Sequence, residues 1–324
     1  MREIGFSQAI AEAMTEEMRR DKRVFLMGED VATSAIAMTG NMINEFGLDR
    51  VRDTPLSEEG FVGAAVGAAL GGLKPIVDLR LFNFTYLAMD QIIDQAAKTR
   101  YMYGMQIKMP IVIRGGCGWM PGVGAQHSDS PHAMFMTAPG LKIVVPSTPY
   151  DAKGLLKTAI RDDNPVLFFE FIALRAGKSM VPDEEYLVPF GKADVKRVGS
   201  DVTVVGIGPM VQKALAVAEE LAKEGISVEV VDPRTLVPLD KETIRASVQK
   251  TGRLVIADDA HGTAGATAEI AAMIFEDEDT FGCLEAPVQR VARPNVPIPY
   301  SSPMELFVVP DANQIKKAVL KVMK

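Results

Sequence analysis

The sequence predicts an α/β protein of two domains, each built on a mainly parallel sheet with helices on both faces. Two observations carry this. In the first half, short Val-, Ile- and Leu-rich runs alternate with longer runs of helical spacing. After residue 200 the alternation starts again, beyond a stretch from Ala176 to Gly199 that has little periodicity and carries Pro182-Asp183-Glu184-Glu185 and Pro189. The length, 324 residues, leaves room for two domains of ordinary size. The expected bounds are 1–178 for the first domain, 179–199 for a linker and 200–324 for the second.

Element by element, Phe6 to Asp21 spaces Ile10, Ala13, Met14 and Met18 as one helical face. Val24 to Met27 reads as a strand that stops at Gly28-Glu29-Asp30, and Val31 to Arg52 is irregular by pattern. Ser57 is the expected N-cap of the apolar helix that follows. Ile76 to Leu79 is a short strand, Phe84 to Tyr103 a helix and Pro110 to Arg114 a strand. A glycine-rich loop covers Gly115 to Gly124. Leu141 to Val145, Tyr150 to Arg161 and Val166 to Glu170 read as strand, helix, strand. In the second half, strands are expected at Val202–Val205, Ser227–Val231 and Leu254–Ala257. Helices are expected at Met210–Lys223, Lys241–Val248, Ala264–Phe275 and Asn313–Met323.

Composition excludes several classes. The formal net charge is −7 and the pI about 5.2, which argues against a nucleic-acid footprint. The most apolar stretch, Gly60 to Leu73, is shorter than the roughly 18 residues of a membrane span and reads as a buried helix. The N-terminus lacks the basic-then-apolar build of a signal peptide. Cys117 and Cys283 stand far apart in no metal-like spacing, which fits a reducing, cytoplasmic setting.

One motif misleads. Gly206-Ile207-Gly208-Pro209-Met210-Val211 follows a strand and opens a helix, as a dinucleotide fingerprint does. Val211 stands where the third glycine belongs, and Pro209 suits a first helical position without any ligand. A tight strand-to-helix turn is the reading adopted.

The chemistry concentrates elsewhere. Asp53 to Phe61 places Glu58 and Glu59 in the first turn of a helix, where acids also serve simply to complement the helix dipole. Behind them Gly63, Gly67 and Gly71 form a smooth face that suits either tight internal packing or a partner's backbone. Leu81-Phe82-Asn83-Phe84 ends a strand, where parallel sheets put their ligand sites. His127, one of three histidines, ends the glycine-rich loop and is either structural or chemical. Ala159 to Pro165 is a polar helix-to-strand turn.

Several long motifs, in order, resemble the E1 β subunits of the 2-oxoacid and acetoin dehydrogenase complexes. They are DTPLSEEGFVGAAVGAALGG, LFNFTYLAMDQIIDQAAKTRYMYG, GVGAQHS, PSTPYDAKGLLKTAIRDDNP, VVDPRTLVPLD, KTGRLVIADD and PIPYSSP, and they span essentially the whole chain. The resemblance implies a thiamine-diphosphate pyrimidine-binding fold followed by a transketolase C-terminal-like domain. It implies that Glu58 hydrogen-bonds N1′ of the cofactor's aminopyrimidine, with a raised pKa suited to proton exchange near neutrality. Leu56 and Phe84 match positions that pack on the pyrimidine ring, and Arg80 stands beside them where many members carry an apolar residue. His127 matches a histidine at the substrate end. Ile111, Ala159, Asp162 and Asn164 match a K⁺ site.

The chain has no Gly-Asp-Gly. In the resembled family that Mg²⁺-binding motif lies on an α subunit, which implies an obligate α partner, an α2β2 tetramer and a shared cofactor. The implied reaction decarboxylates a 2-oxoacid such as pyruvate, or cleaves acetoin, and passes the acyl group to a lipoylated E2 acyltransferase. Two other readings share the fold: the C-terminal half of a split transketolase, and a non-catalytic assembly subunit. The Gln126-His127-Ser128 loop and the Leu81–Phe84 run separate the first from the E1 β reading, and an intact Glu58 argues against the second. Ala32 to Asn41 and Trp119-Met120-Pro121 depart from the resembled pattern.

Overall fold

A computed structural model describes residues 1–33 and 39–324; part of the weakly matching Ala32–Asn41 segment therefore lies outside the described residues. The chain forms two units. The first takes in Met1–Cys117 and Met134–Phe190, the second Gly118–Ala133 and Gly191–Lys324.

The first unit opens with β1 (Arg2–Gly5), α1 (Phe6–Arg20), β2 (Val24–Gly28), α2 (Met42–Phe46), β3 (Val51–Asp53), α3 (Glu58–Leu70) and β4 (Lys74–Leu81). After β4 the chain winds as a 3-10 turn over Phe82–Ala88, a π-helix over Asp90–Ala96 and α4 (Ala97–Met102). A single helix was expected there; the run is helical throughout but changes its winding twice. β5 (Val112–Cys117) follows. The chain then leaves for the second unit and returns within α5 (His132–Met136) to β6 (Lys142–Val144), α6 (Pro149–Arg161), β7 (Val166–Phe171) and β8 (Lys178–Val181).

Within this unit the strands lie in the order β6-β7-β5-β4-β2-β3, each pair parallel. β5 and β7 are buried along their whole length, as continuous apolar strands covered on both faces must be. α1 buries Phe6, Ile10, Ala13, Met14 and Met18, the face its spacing predicted. α6 starts at Pro149 behind Thr148, whose hydroxyl accepts the Asp151 N–H at 3.1 Å.

One charge sits at the centre of this sheet. Arg114 of β5 is 1% exposed. Its Nε and Nη2 donate to Glu170 of β7 at 2.5 and 2.7 Å, and its Nη1 pairs with Asp78 of β4.

The second unit holds β9 (Asp194–Arg197), β10 (Val202–Gly206), α7 (Pro209–Ala222), β11 (Val228–Asp232), a short β12 (Thr235–Val237) and α8 (Lys241–Thr251). It continues with β13 (Leu254–His261), α9 (Ala266–Phe275), α10 (Glu278–Gly282), β14 (Gln289–Arg293), α11 (Ser302–Val308) and α12 (Ala312–Val322). Its sheet runs β14-β13-β10-β11-β9, parallel except for the β9 edge. α7 and α12 pack Met210, Ala214, Val217, Ile315 and Val319 against Val204, Val230 and Val255. A capping box between Asp311 and Gln314 starts α12.

The fold alters two sequence expectations and agrees with a third. The 179–199 stretch is not structureless: β8 pairs antiparallel with β1, and β9 with β11. Both strands are short and polar, so nothing local announces them; their distant partners make them strands. β14 was not foreseen for the same reason, and the short helix α11 was not foreseen either. The Gly206 turn packs on itself, since a Cβ on Gly206 would lie 2.8 Å from the Val211 nitrogen. That is the tight strand-to-helix turn.

Arg114 donates two buried N–H groups to the two oxygens of Glu170, so an amide in that place leaves one of them facing an NH₂ group and breaks a buried ion pair. Glu170→Gln is expected to lower stability by about 3 kcal/mol in urea unfolding. A loss below about 1 kcal/mol would show that the triad is not a structural keystone.

Candidate active site

Glu58 is the first residue of α3. Ser57 stands at the N-cap position, but its hydroxyl makes no capping hydrogen bond among the described residues. The usual partition of side chains is inverted here: the Glu58 carboxylate is buried at 7% exposure, while Leu56, two residues earlier, is 79% exposed. An acid held inside and a leucine held outside suit a ligand with a polar ring edge and an apolar ring face.

A second acid lies against Glu58, and sequence reasoning missed it. β2 ends at Gly28, whose φ is +153° and whose hypothetical Cβ would lie 2.2 Å from the Asp78 carbonyl oxygen. Only glycine fits so close a pass between strands. The chain leaves it into Glu29, which is 6% exposed and hydrogen-bonds Glu58. Burial, then the Glu58 charge and that hydrogen bond, push the Glu29 carboxyl from 4.5 up to about 7; Arg80 opposes the shift and Asp30 adds to it. Glu29 Oε1 has no hydrogen-bond partner among the described residues. Only a glycine-acid-acid run after a strand could have signalled Glu29, and that run reads equally as a turn.

Arg80 is tied to this pair by charge. It sits where the β4–β5 register breaks, between Asp78 and Leu81, with a φ of +61°. Its N–H donates to Asp78 Oδ1 at 2.8 Å and its guanidinium meets Asp30 at 3.2 Å. Arg80 thus stands at this apolar family position as one half of a salt bridge with Asp30. Phe84 is half-buried in the 3-10 turn, which Phe82 anchors by stacking on Phe169 at 3.8 Å. Along α3, Gly60, Ala64 and Gly67 are exposed, while Gly63 packs 3.4 Å from Gln91. The smooth face thus runs through Gly60 and Ala64 to Gly67, rotated from the Gly63–Gly67–Gly71 line.

His127 ends a 3-10 turn, Ala125–His127, in the segment that folds with the second unit, and is half-buried. The four residues matched to a K⁺ site lie around the end of α6, where several of their acceptors already take hydrogen bonds within the chain. The Ala159 and Ile111 carbonyls accept the Asp162 and Val166 N–H groups at 3.2 and 2.9 Å. Asp162 Oδ1 accepts both Asn164 nitrogens at 2.8 Å, and Oδ2 pairs with Lys142. Burial works to raise the Asp162 carboxyl, yet Lys142 and Asn164 hold it below its ordinary value. Asn164 Oδ1 accepts from Arg100, and Lys74 caps the Ile160 and Arg161 carbonyls at 3.2 and 3.4 Å. Protein cations therefore already meet the side-chain acceptors of this turn, so a K⁺ cage through the Asp162 carboxylate does not fit as the turn stands. Among the described residues no three His, Cys, Asp or Glu side chains converge as metal ligands would. No helix among them is long and apolar enough to cross a membrane.

Residues 2–171 match the profile of the transketolase pyrimidine binding domain, and residues 191–315 that of the transketolase C-terminal domain. The chain is 43% identical to the β subunit of acetoin:2,6-dichlorophenolindophenol oxidoreductase from Bacillus subtilis, covering 99% of this chain and 98% of the relative. It is 45% identical to the mitochondrial pyruvate dehydrogenase E1 component subunit β-1 of Arabidopsis thaliana, over 98% and 88%. It is 44% identical to the corresponding β subunit of Rickettsia felis, over 99% and 98%. Among solved structures, the chain of a split-gene transketolase in an inactive β4 tetramer superposes with a TM-score of 0.81 at 24% identity, over 99% and 98% of the two chains, which is a likeness of fold.

The Glu29 shift predicts a pH signature. An acid whose folded pKa is raised contributes stability that is fully present below its unfolded value of 4.5 and lost as pH climbs to about 7. Glu29→Gln should remove that loss, gaining on the parent chain by about 2–3 kcal/mol between pH 4.5 and 7.5 in denaturant titrations. Parallel stability profiles for the two proteins would show that Glu29 titrates normally.

Proposed function

This chain belongs to the family of transketolase-like E1 β subunits, whose domains are those of thiamine-diphosphate enzymes, and from that premise we propose that it supplies half of an active site completed by an α subunit. The observation that carries the reading is the inverted partition of side chains, with Glu58 and Glu29 buried together and Leu56, two residues before Glu58, exposed.

When bound, thiamine diphosphate supplies an electron sink for the carbanion left as a 2-oxoacid loses CO₂ or acetoin is cleaved. The residues of this chain do the rest. Glu58 gives and takes a proton at N1′ of the aminopyrimidine. Glu29, protonated through most of the range below neutrality, donates its hydrogen bond to the Glu58 carboxylate and holds it in one orientation. Arg80, itself held by Asp30, tempers the local negative charge. Leu56 and Phe84 cover the ring and exclude water. His127 orients the substrate or the incoming lipoyl group.

The α partner supplies the Mg²⁺ site, since this chain carries no Gly-Asp-Gly. We assign an α2β2 assembly, a small 2-oxoacid or acetoin as substrate and a lipoylated E2 acyltransferase as acceptor. The curated β-subunit relatives, at 43–45% identity over nearly the whole chain, favour this over half of a split transketolase.

A K⁺ held at the α6 turn through the Asp162 carboxylate would have to displace Lys142. Exchanging Na⁺ for K⁺ should therefore leave the melting temperature of the chain unchanged, whereas Lys142→Met should gain a K⁺-specific rise. A K⁺-specific rise already present in the unaltered chain would restore the cation site.

Co-expression with an α subunit, thiamine diphosphate and Mg²⁺, followed by dye reduction with pyruvate, 2-oxoisovalerate and acetoin, tests the main reading. Activity should appear only in the mixture. Glu58→Gln should assemble normally and lose about 100-fold or more of it. Retention of activity within about twofold would sink the assignment of Glu58.

A further inference from the structure

The segment Gly118–Ala133 falls between β5 and β6 in sequence, yet it folds with the second unit. Its base is closed by the Gly118 N–H donating to the Asp129 carbonyl at 2.8 Å. Four charged side chains of the second unit reach into it. Asp258 of β13 meets His132 Nε2 at 2.8 Å, both side chains fully buried. Its neighbour Asp259 accepts the Trp119 N–H at 3.4 Å and pairs with Arg293 at 2.9 Å. Arg293 of β14 donates Nη1 to the Ser128 carbonyl at 2.7 Å. Glu305 of α11 accepts the Gly122 N–H at 2.9 Å.

Two features make this more than loop packing. Adjacent residues of a regular strand point to opposite faces, but the β13–β14 register shifts between Ala257 and His261, and both aspartates act on the same segment. Glu305 is 0% exposed, and its Oε2 has no hydrogen-bond partner among the described residues. A buried carboxylate is costly to keep for a single backbone N–H, unless the position of that N–H matters. Gly122 and Gly124, with φ of +71° and +72°, make the intervening backbone soft, and His127 follows three residues on. The chain is thus gripped at Gly122 and again at Ser128, with His127 between the grips.

We infer that the second unit is the positioning device for His127, with Glu305 and Arg293 as positioning residues that set where its imidazole stands. This rests on the reading that His127 acts on the substrate. Trp119, the only tryptophan of the chain, lies in the gripped segment and reports on it without any need for activity.

In the reconstituted α-containing enzyme, Glu305→Ala should lower kcat by about tenfold or more, since misplacement by an ångström is enough for that. The KM for thiamine diphosphate should stay within about twofold, because Leu56, Glu58 and Phe84 lie in the other unit. Glu305→Gln keeps an oxygen for the Gly122 N–H and should recover to within about threefold. In the full-length chain, Trp119 emission should move to the red and become more open to acrylamide in Glu305→Ala but not in Glu305→Gln. Arg293→Lys, which keeps the charge but loses the bond to Ser128, should show the same two changes and decides the matter if Glu305→Ala does not fold. Unchanged Trp119 and unchanged kcat, or a Gln variant no better than Ala, would overturn the inference. His127→Ala separates the two readings: full activity there, with Trp119 still displaced by Glu305→Ala, removes the role of His127 and leaves the grip on the segment standing.

Discussion

Arg114 keeps its charge in the interior of the first unit because Asp78 and Glu170 approach it from the strands on either side. Burial works against the charged guanidinium, but the two carboxylates outweigh it and hold Arg114 above its ordinary pKa. Much of the site then follows from Asp78. One carboxylate oxygen is taken by Arg114; the other accepts the Arg80 N–H and so shapes the kink at the end of β4. The Asp78 carbonyl is the wall against which only Gly28 fits. That tight pass delivers Glu29 to Glu58. The acid pair therefore stands on an ion triad below it, and the alignment of β2 with β4 serves both.

The legible parts of the fold were those whose signal is local. α1, α6 and α7 carry their periodicity and their starting residues within one turn, and the buried strands are continuous apolar runs. β8, β9 and β14 were not legible, because they are short and largely polar and become strands only against partners far away in sequence. The site divides in the same way. Glu58 could be singled out because two acids before an apolar helix are conspicuous, and the family resemblance then distinguished it from Glu59. Glu29 could not, since its meaning depends on a neighbour 29 residues on, across the sheet. Arg80 looked out of place among ring-lining positions until Asp30 and Glu29 came into view. At the end of α6 the oxygens were foreseen but the cations were not: Lys74, Lys142 and Arg100 come from three other elements.

The inverted partition also explains why the chain keeps uncomfortable surfaces. Leu56 and Leu87 are more than half exposed, as are Tyr101, Met102 and Tyr103 after the π-helix, and α3 presents Gly60, Ala64 and Gly67 outward. A lone soluble chain gains nothing from such a surface. On the function proposed above, a subunit that holds half of a site needs it, because the missing half must approach closely enough to exclude water from the ring. Small residues on α3 permit that approach at the helix that begins with Glu58.

The excursion of residues 118–133 bears on how such a chain can be divided. Its two domain profiles, 2–171 and 191–315, suggest modules separable by one cut. The polypeptide is instead stitched: a piece of the first stretch supplies the counterparts for Asp258, Arg293 and Glu305 in the second. A C-terminal fragment cut at residue 191 would keep these buried charges and lose the groups that meet them. Gene fission, fusion or shuffling at that linker would therefore separate reading frames without separating folding units, and a viable recombinant would have to inherit both ends of the stitch from the same parent.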